Sequence, residues 1–163
     1  MTQIPVRHGE EGFSLIELAV AFSLTAILAA ATLPAMSRYL RTHQLTGAVN
    51  GMAAELRFCR ARAASEGNNV VFSWNTESGT YTILDDDNDN GATDEGEAVV
   101  GPKQLPTGVT LANGPNTPFV GTSIIFQPDG SANQGGQFTL TGCNELSYEI
   151  QLVRVSGLVK VLS

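Results

Sequence analysis

Gly12-Phe13-Ser14-Leu15-Ile16-Glu17-Leu18 opens the run that decides how this chain folds. From Leu18 to Ser37 twenty consecutive residues carry no Asp, Glu, Lys or Arg. Wound as an α-helix, such a run extends about 30 Å, the thickness of a bilayer's hydrocarbon core. Glu17 is the one acid at its edge, and burying such a charge in lipid costs roughly 2.5–3.5 kcal/mol at mid-span and less near the interface. A carboxylate kept there asks for a partner. The bland reading is an acid that snorkels to headgroups, and the sharper one is a functional contact.

The same seven residues resemble the prepilin cleavage and assembly motif of type IV pilins and type II secretion pseudopilins: glycine, aromatic, small residue, two aliphatics and glutamate ahead of an apolar run. The resemblance implies that a membrane-embedded prepilin peptidase cuts after Gly12 and methylates the new N-terminus at Phe13. Residues 1–12 are then a leader, 13–37 a transmembrane and assembly helix, and Glu17 an assembly residue. An ordinary secretory signal places its cleavage site after the apolar segment. Here the glycine precedes it, so processing would leave the helix attached. The leader holds Arg7 with Glu10 and Glu11, while Arg38 and Arg41 follow the span, so charge alone does not orient the helix. Orientation comes from the resemblance, which implies a single pass through a bacterial inner membrane, a periplasmic domain and later extraction into a filament.

Beyond the span, Leu45, Val49, Met52, Leu56, Cys59 and Ala63 alternate by four and three, the stripe of an amphipathic helix. Gly67-Asn68-Asn69 is a stop signal, so one helix is expected from Phe13 to about Glu66, kinked or loosened at Pro34. Residues 38–67 form its amphipathic continuation. After that the period changes to two. Strands are expected at 70–75, 80–84, 98–100, 109–112, 123–127, 137–141, 147–155 and 158–162, with hairpins turning at Ser78-Gly79 and Ser156-Gly157. The fold class is α+β: a long N-terminal helix packed on an antiparallel β-sheet domain, residues 68–163, pilin-like in outline.

The segment running from Glu55 through Gly67 to Val70, and the turn Phe126-Gln127-Pro128-Asp129-Gly130, resemble the helix-to-strand junction and a turn of the GspH/FimT group. That group includes minor subunits of the type II secretion pseudopilus and of type IV pili. The implied function is a structural minor pilin or pseudopilin. Its implied partners are other pilin subunits, the prepilin peptidase, an inner-membrane assembly platform and secreted substrates.

The net charge of −7 has a local source, because residues 85–97 hold seven acids and no base and the remaining acids and bases balance. Asp86, Asn88, Asn90, Ala92 (through its carbonyl), Asp94 and Glu97, with Gly91 at the sharp turn, satisfy a twelve-residue calcium-loop pattern. Strand-like flanks argue against a two-helix EF-hand. A solvated acidic turn is the plain alternative. Calcium is therefore the expected cofactor if there is one.

In the topology the resemblance implies, Cys59 and Cys143 lie where disulfides persist; they either bridge or act as small buried hydrophobes. No nucleophile–histidine arrangement, phosphate loop or paired Cys/His zinc spacing occurs, so an enzyme is not expected. DNA-binding relatives carry a basic Gly-Arg-x-Arg-like segment, where this chain has Gly157-Leu158-Val159-Lys160. Arg57, Arg60 and Arg62 form a small basic face, expected to pair with Glu55, Glu66 or strand carboxylates, and DNA uptake is disfavoured. The rival class is a membrane-anchored, calcium-dependent adhesion module acting alone.

Overall fold

The structure, a computed structural model, describes residues 13–91, 93–143 and 145–162. The leader with its cleavage residue Gly12, and the loop residue Ala92, lie outside the described residues. One helix, α1 (Leu15–Glu66), precedes eight strands: β1 (Asn69–Asn75), β2 (Thr80–Asp86), β3 (Val99–Gln104), β4 (Val109–Asn113), β5 (Ser123–Phe126), β6 (Gly136–Gly142), β7 (Ser147–Val153) and β8 (Leu158–Leu162). The chain divides into two compact units, one ending at Arg38 and the other spanning Tyr39–Ser163.

In the first unit α1 is apolar and bare. None of its spanning-length apolar window is buried within the chain, and it is, among the described residues, the one helix long and apolar enough to cross a membrane. Its few hydroxyls are satisfied internally. Ser23 donates to the Ala19 carbonyl at 2.8 Å, and Thr25 and Thr32 bond back to carbonyls of the preceding turn. A side chain that spends its donor on its own helix costs little in lipid, where water offers no alternative. The helix assignment continues unbroken through position 34.

In the second unit the expected stripe is the core. Leu45, Val49, Met52, Leu56, Cys59 and Ala63 are all fully or almost fully buried. They join a single cluster with Val70, Phe72, Ile83, Phe126, Phe138 and Ile150 from the strands. Gly67 ends α1 in the left-handed region at φ 79°, a conformation open to glycine at little cost.

The strands form two antiparallel four-stranded sheets, ordered β3-β2-β1-β5 and β4-β6-β7-β8, where the sequence pattern had given strands without their grouping. Residue pairing sets Phe72 opposite Ile83 and Ile124 in one sheet, and Phe138 opposite Ile150 in the other. β3 also differs from expectation. It runs on through Gly101-Pro102, read from sequence as a break, and a register shift between Tyr81 and Ile83 accommodates it. A proline suits this position because β3 is an edge strand.

An aromatic group closes the core. Phe72 stacks on Tyr81 at 5.3 Å, and Trp74 meets Phe138 edge-on at 4.8 Å. Phe119, from a loop outside every strand, completes the group 4.4 Å from Phe138.

Candidate functional site

Glu17 sits in the first turn of α1, and its neighbours explain how that turn starts. The Ser14 backbone N–H donates to Glu17 Oε2 at 3.0 Å, while the Glu17 N–H donates to Ser14 Oγ at 3.3 Å. The Ser14 carbonyl accepts the first helical bond, from the Leu18 N–H. This reciprocal arrangement is a capping box, which satisfies two of the donors every helix start leaves open. The Ser-x-x-Glu spacing in Ser14-Leu15-Ile16-Glu17 is the sequence signal for it, in addition to the charge that marks Glu17. A carboxylate at this end also complements the positive pole of the helix dipole.

Capping does not exhaust Glu17. Phe13, Ile16, Val20 and Ala21 line a shallow notch beside it, and Phe13 is 88 % exposed. Among the described residues, one carboxylate oxygen is given to Ser14 and the other meets no donor. The head of the helix thus presents a negative charge framed by uncovered apolar side chains.

The acidic loop follows β2. Asp86 is buried, and its carboxylate accepts the N–H groups of Asn90 at 3.1 Å and Gly91 at 2.7 Å. Gly91, at φ 72°, makes the tight turn that the pattern assigns to it. The Asn88 and Asn90 amides both donate to Asp94 Oδ2, holding that carboxyl below the usual carboxylate range. Glu97 Oε2 accepts the Asp94 N–H at 2.9 Å, whereas Glu97 Oε1 is enclosed without any hydrogen-bond partner. Asp86, Asn88, Asn90, Asp94 and Glu97 are therefore tied into one loop by their own hydrogen bonds. Among the described residues, no three His, Cys, Asp or Glu side chains come together as a ready metal cluster.

The loop is fastened to the end of α1. Arg62 donates to Asp85 Oδ2 at 2.6 Å and to Glu66 at 3.0 Å, and Asn68 donates to Asp85 and Asp87. Burial pushes the Asp85 carboxyl up, while the Arg62 hydrogen bond holds Glu66 down. Desolvation is the largest cause at Asp85, whereas at the exposed Glu66 the Arg62 hydrogen bond outweighs it.

Two expectations need correction. The arginine face does not pair off as a group. Arg62 alone takes carboxylates, whereas Arg57 donates to the Val159 carbonyl at 3.2 Å and Arg60 to the Gly130 carbonyl at 3.1 Å. Glu55 instead pairs with Lys103. Nor are the cysteines bridged. Cys59 is fully buried under the strands, and Cys143 is exposed at the β6–β7 turn, its thiol donating to the Gly108 carbonyl at 3.3 Å. Burial, aided by the charge of Glu55, pushes the Cys59 thiol up to about 12, so it behaves as a small hydrophobe.

With that geometry in view, comparison with known proteins separates family from detail. Residues 48–158 match the family described as Type II transport protein GspH, and residues 7–33 match the prokaryotic N-terminal methylation motif. No match was found among curated proteins. Two solved structures of the minor pseudopilin EpsH from the type 2 secretion system of Vibrio cholerae share the fold. One has 12 % identity and TM-score 0.56, covering 74 % of this chain and 97 % of that one. The other has 10 % identity and TM-score 0.55, covering 76 % and 96 %. The type IV minor pilin FimU of Pseudomonas aeruginosa PAO1 is similar at 12 % identity and TM-score 0.50, over 72 % of this chain and 92 % of that one. A match across most of the described β-rich unit, joined to a methylation motif over the head of α1, shows that the chain belongs to the GspH family.

Proposed function

We propose that the chain is cut after Gly12, methylated at Phe13 by a prepilin peptidase, and held in the bacterial inner membrane by α1 with residues 39–163 in the periplasm. An assembly platform then extracts it into a filament, where it acts as a structural subunit and not as a catalyst. One observation carries this reading: an apolar helix with none of its span covered by the described residues begins at a carboxylate that caps its own first turn. In the filament the apolar stretch would pack against its counterparts. Glu17 would receive the charge of a neighbouring subunit's Phe13 amine, a contact that sets axial register when both groups leave water.

The capping box supplies a clean test. Glu17→Gln keeps a side chain able to cap the helix but removes its charge. The variant should be cleaved and methylated normally, yet co-purify with sheared filaments far less than wild type. Incorporation at the wild-type level would refute the role of the charge.

The acidic loop supports a second, separate proposal, that it binds calcium. Asp86, Asn88, Asn90, Asp94 and Glu97, with the Ala92 carbonyl, would hold the ion. The enclosed Glu97 Oε1, without a hydrogen-bond donor, is an oxygen that a cation would satisfy. The bound ion would relieve carboxylate repulsion and stiffen the loop. Millimolar calcium should raise the unfolding temperature of the full chain, and Glu97→Gln should abolish the increase. No change in wild type on adding calcium or chelator would remove the site.

A further inference from the structure

Asn-Gly occurs three times in the chain, at Asn50-Gly51, Asn90-Gly91 and Asn113-Gly114, and all three asparagines are exposed. The pair carries a chemistry of its own. The backbone nitrogen after an asparagine is able to attack the side-chain amide carbon, and glycine, without a Cβ, leaves that nitrogen unobstructed. Closing the ring also asks for a ψ at the asparagine that belongs to neither helix nor strand. The fold therefore separates what sequence and exposure leave equal.

Asn50-Gly51 is wound into α1 between Val49 and Met52, both buried in the core. Leaving helical ψ there would break a hydrogen-bonded ladder that packing holds in place. Asn113 ends β4 opposite Phe138 of β6, and the Gly114 N–H donates to the Gln137 carbonyl at 2.7 Å. Gly114 is also hemmed in, since a Cβ there would lie 2.5 Å from the Gln137 side chain. Asn90-Gly91 differs from both. It lies in the acidic loop between β2 and β3, outside every helix and strand, and Gly91 turns at φ 72°. The Gly91 N–H is held by one side chain, Asp86 Oδ2 at 2.7 Å, and not by a backbone ladder. The Asn90 amide donates to Asp94 Oδ2, another side chain of the same loop.

We infer that Asn90 is a site of spontaneous deamidation, whereas Asn50 and Asn113 are protected by the helix and the sheet. The Gly91 nitrogen bonds to Asn90 Cγ and closes a succinimide. The Cγ–Nδ2 bond breaks, and the amide nitrogen departs as ammonia with the proton that Gly91 gives up. Solvent water then opens the ring at one carbonyl or the other. The product is aspartate or isoaspartate, the latter with its backbone rerouted through the side-chain carbon. No oxidant, metal or second protein takes part. The loop already holds seven acids and no base, and each conversion adds a carboxylate to it. The charge of this segment thus depends on the age of the chain.

The inference rests on neither the filament reading nor the calcium reading. The full chain, purified in detergent, is incubated with chelator at mildly alkaline pH. Peptide mapping by mass spectrometry follows each asparagine over time, with aspartate and isoaspartate resolved chromatographically. Asn90 should convert at least about fivefold faster than Asn50 or Asn113, the factor set by having to surrender one backbone hydrogen bond at those two sites. In denaturant the three rates should draw together, because the same dipeptide is then free at each position. Three results would overturn the inference. One is conversion at Asn90 no faster than at Asn50 or Asn113 in the folded chain. Another is a lead at Asn90 that persists undiminished in denaturant, which would assign it to flanking residues and not to the fold. The third is aspartate without isoaspartate, which excludes the ring.

Discussion

Two halves of one helix solve the problem of apolar surface in opposite ways. Between Leu15 and Leu33 every described side chain of α1 is exposed, including Phe22, Ile27 and Leu28. Between Leu45 and Ala63 the stripe Leu45, Val49, Met52, Leu56, Cys59 and Ala63 lies on one face and is sealed by the protein's own strands, while Phe58 stays half exposed. The first half is apolar all round, which no single neighbour could cover; the second has a stripe that a pair of sheets can. The lesson concerns where stability comes from. The second half draws it from within the chain, and the first must obtain it from lipid or from other subunits.

Matched truncations would break or sharpen that contrast most strongly. Leu56→Ala removes a fully buried side chain and should cost about 3 kcal/mol of unfolding free energy by denaturant titration. Leu28→Ala, in the bare half, should change the same quantity by less than about 0.5 kcal/mol. Comparable losses at both positions would mean that the chain covers its own apolar helix.

Next in size is the tie between the second half and the acidic loop. Arg62→Ala leaves Asp85 enclosed without its cation and should cost about 2–3 kcal/mol at neutral pH. The pH dependence has a definite sign. Burial raises the folded pKa of Asp85 above the unfolded value near 3.8, and loss of Arg62 raises it further. A raised carboxyl contributes fully below its unfolded pKa, and that contribution is lost as pH rises through the folded value. The variant's deficit should therefore be full at pH 7 and shrink on acidification toward the ordinary carboxylate range. Thermal melts from pH 7 down to pH 4 measure it, and a deficit that grows on acidification contradicts the assignment.

Smaller still is the cap of the bare half. Ser14→Ala removes the acceptor for the Glu17 N–H and should cost about 1 kcal/mol of local helix stability, seen as faster amide exchange over the first turn and nowhere beyond residue 38. The smallest effect is expected at Cys143. Cys143→Ser, or reductant on the wild type, should move the unfolding temperature by no more than about 1 °C, since no bridge is there to break.

What the sequence made legible follows from the range of the interactions that encode it. The buried stripe from Leu45 to Ala63 and the placement of eight strands are written in short periods, and both are present. The division into two sheets is not local, because β1 must find β5 some fifty residues on, and nothing in either strand names the other. Phe119 is not legible for a related reason, as a loop aromatic has no period to announce it. The arginines were grouped by sequence and separated by geometry. Arg62 faces Asp85, while Arg57 and Arg60 turn toward β8 and the Gly130 turn, because successive positions on a helix face different directions. Glu17 is legible twice, as a charge in an apolar setting and, through Ser14 three residues upstream, as half of a capping box.

The cap at Ser14 also bears on maturation. Phe13 stands just outside the wound backbone, and the earliest rung of the helical ladder runs from Leu18 to Ser14. The proposed scission on the near side of Phe13 would therefore sever none of the rungs among the described residues, and the rod could stay wound through it.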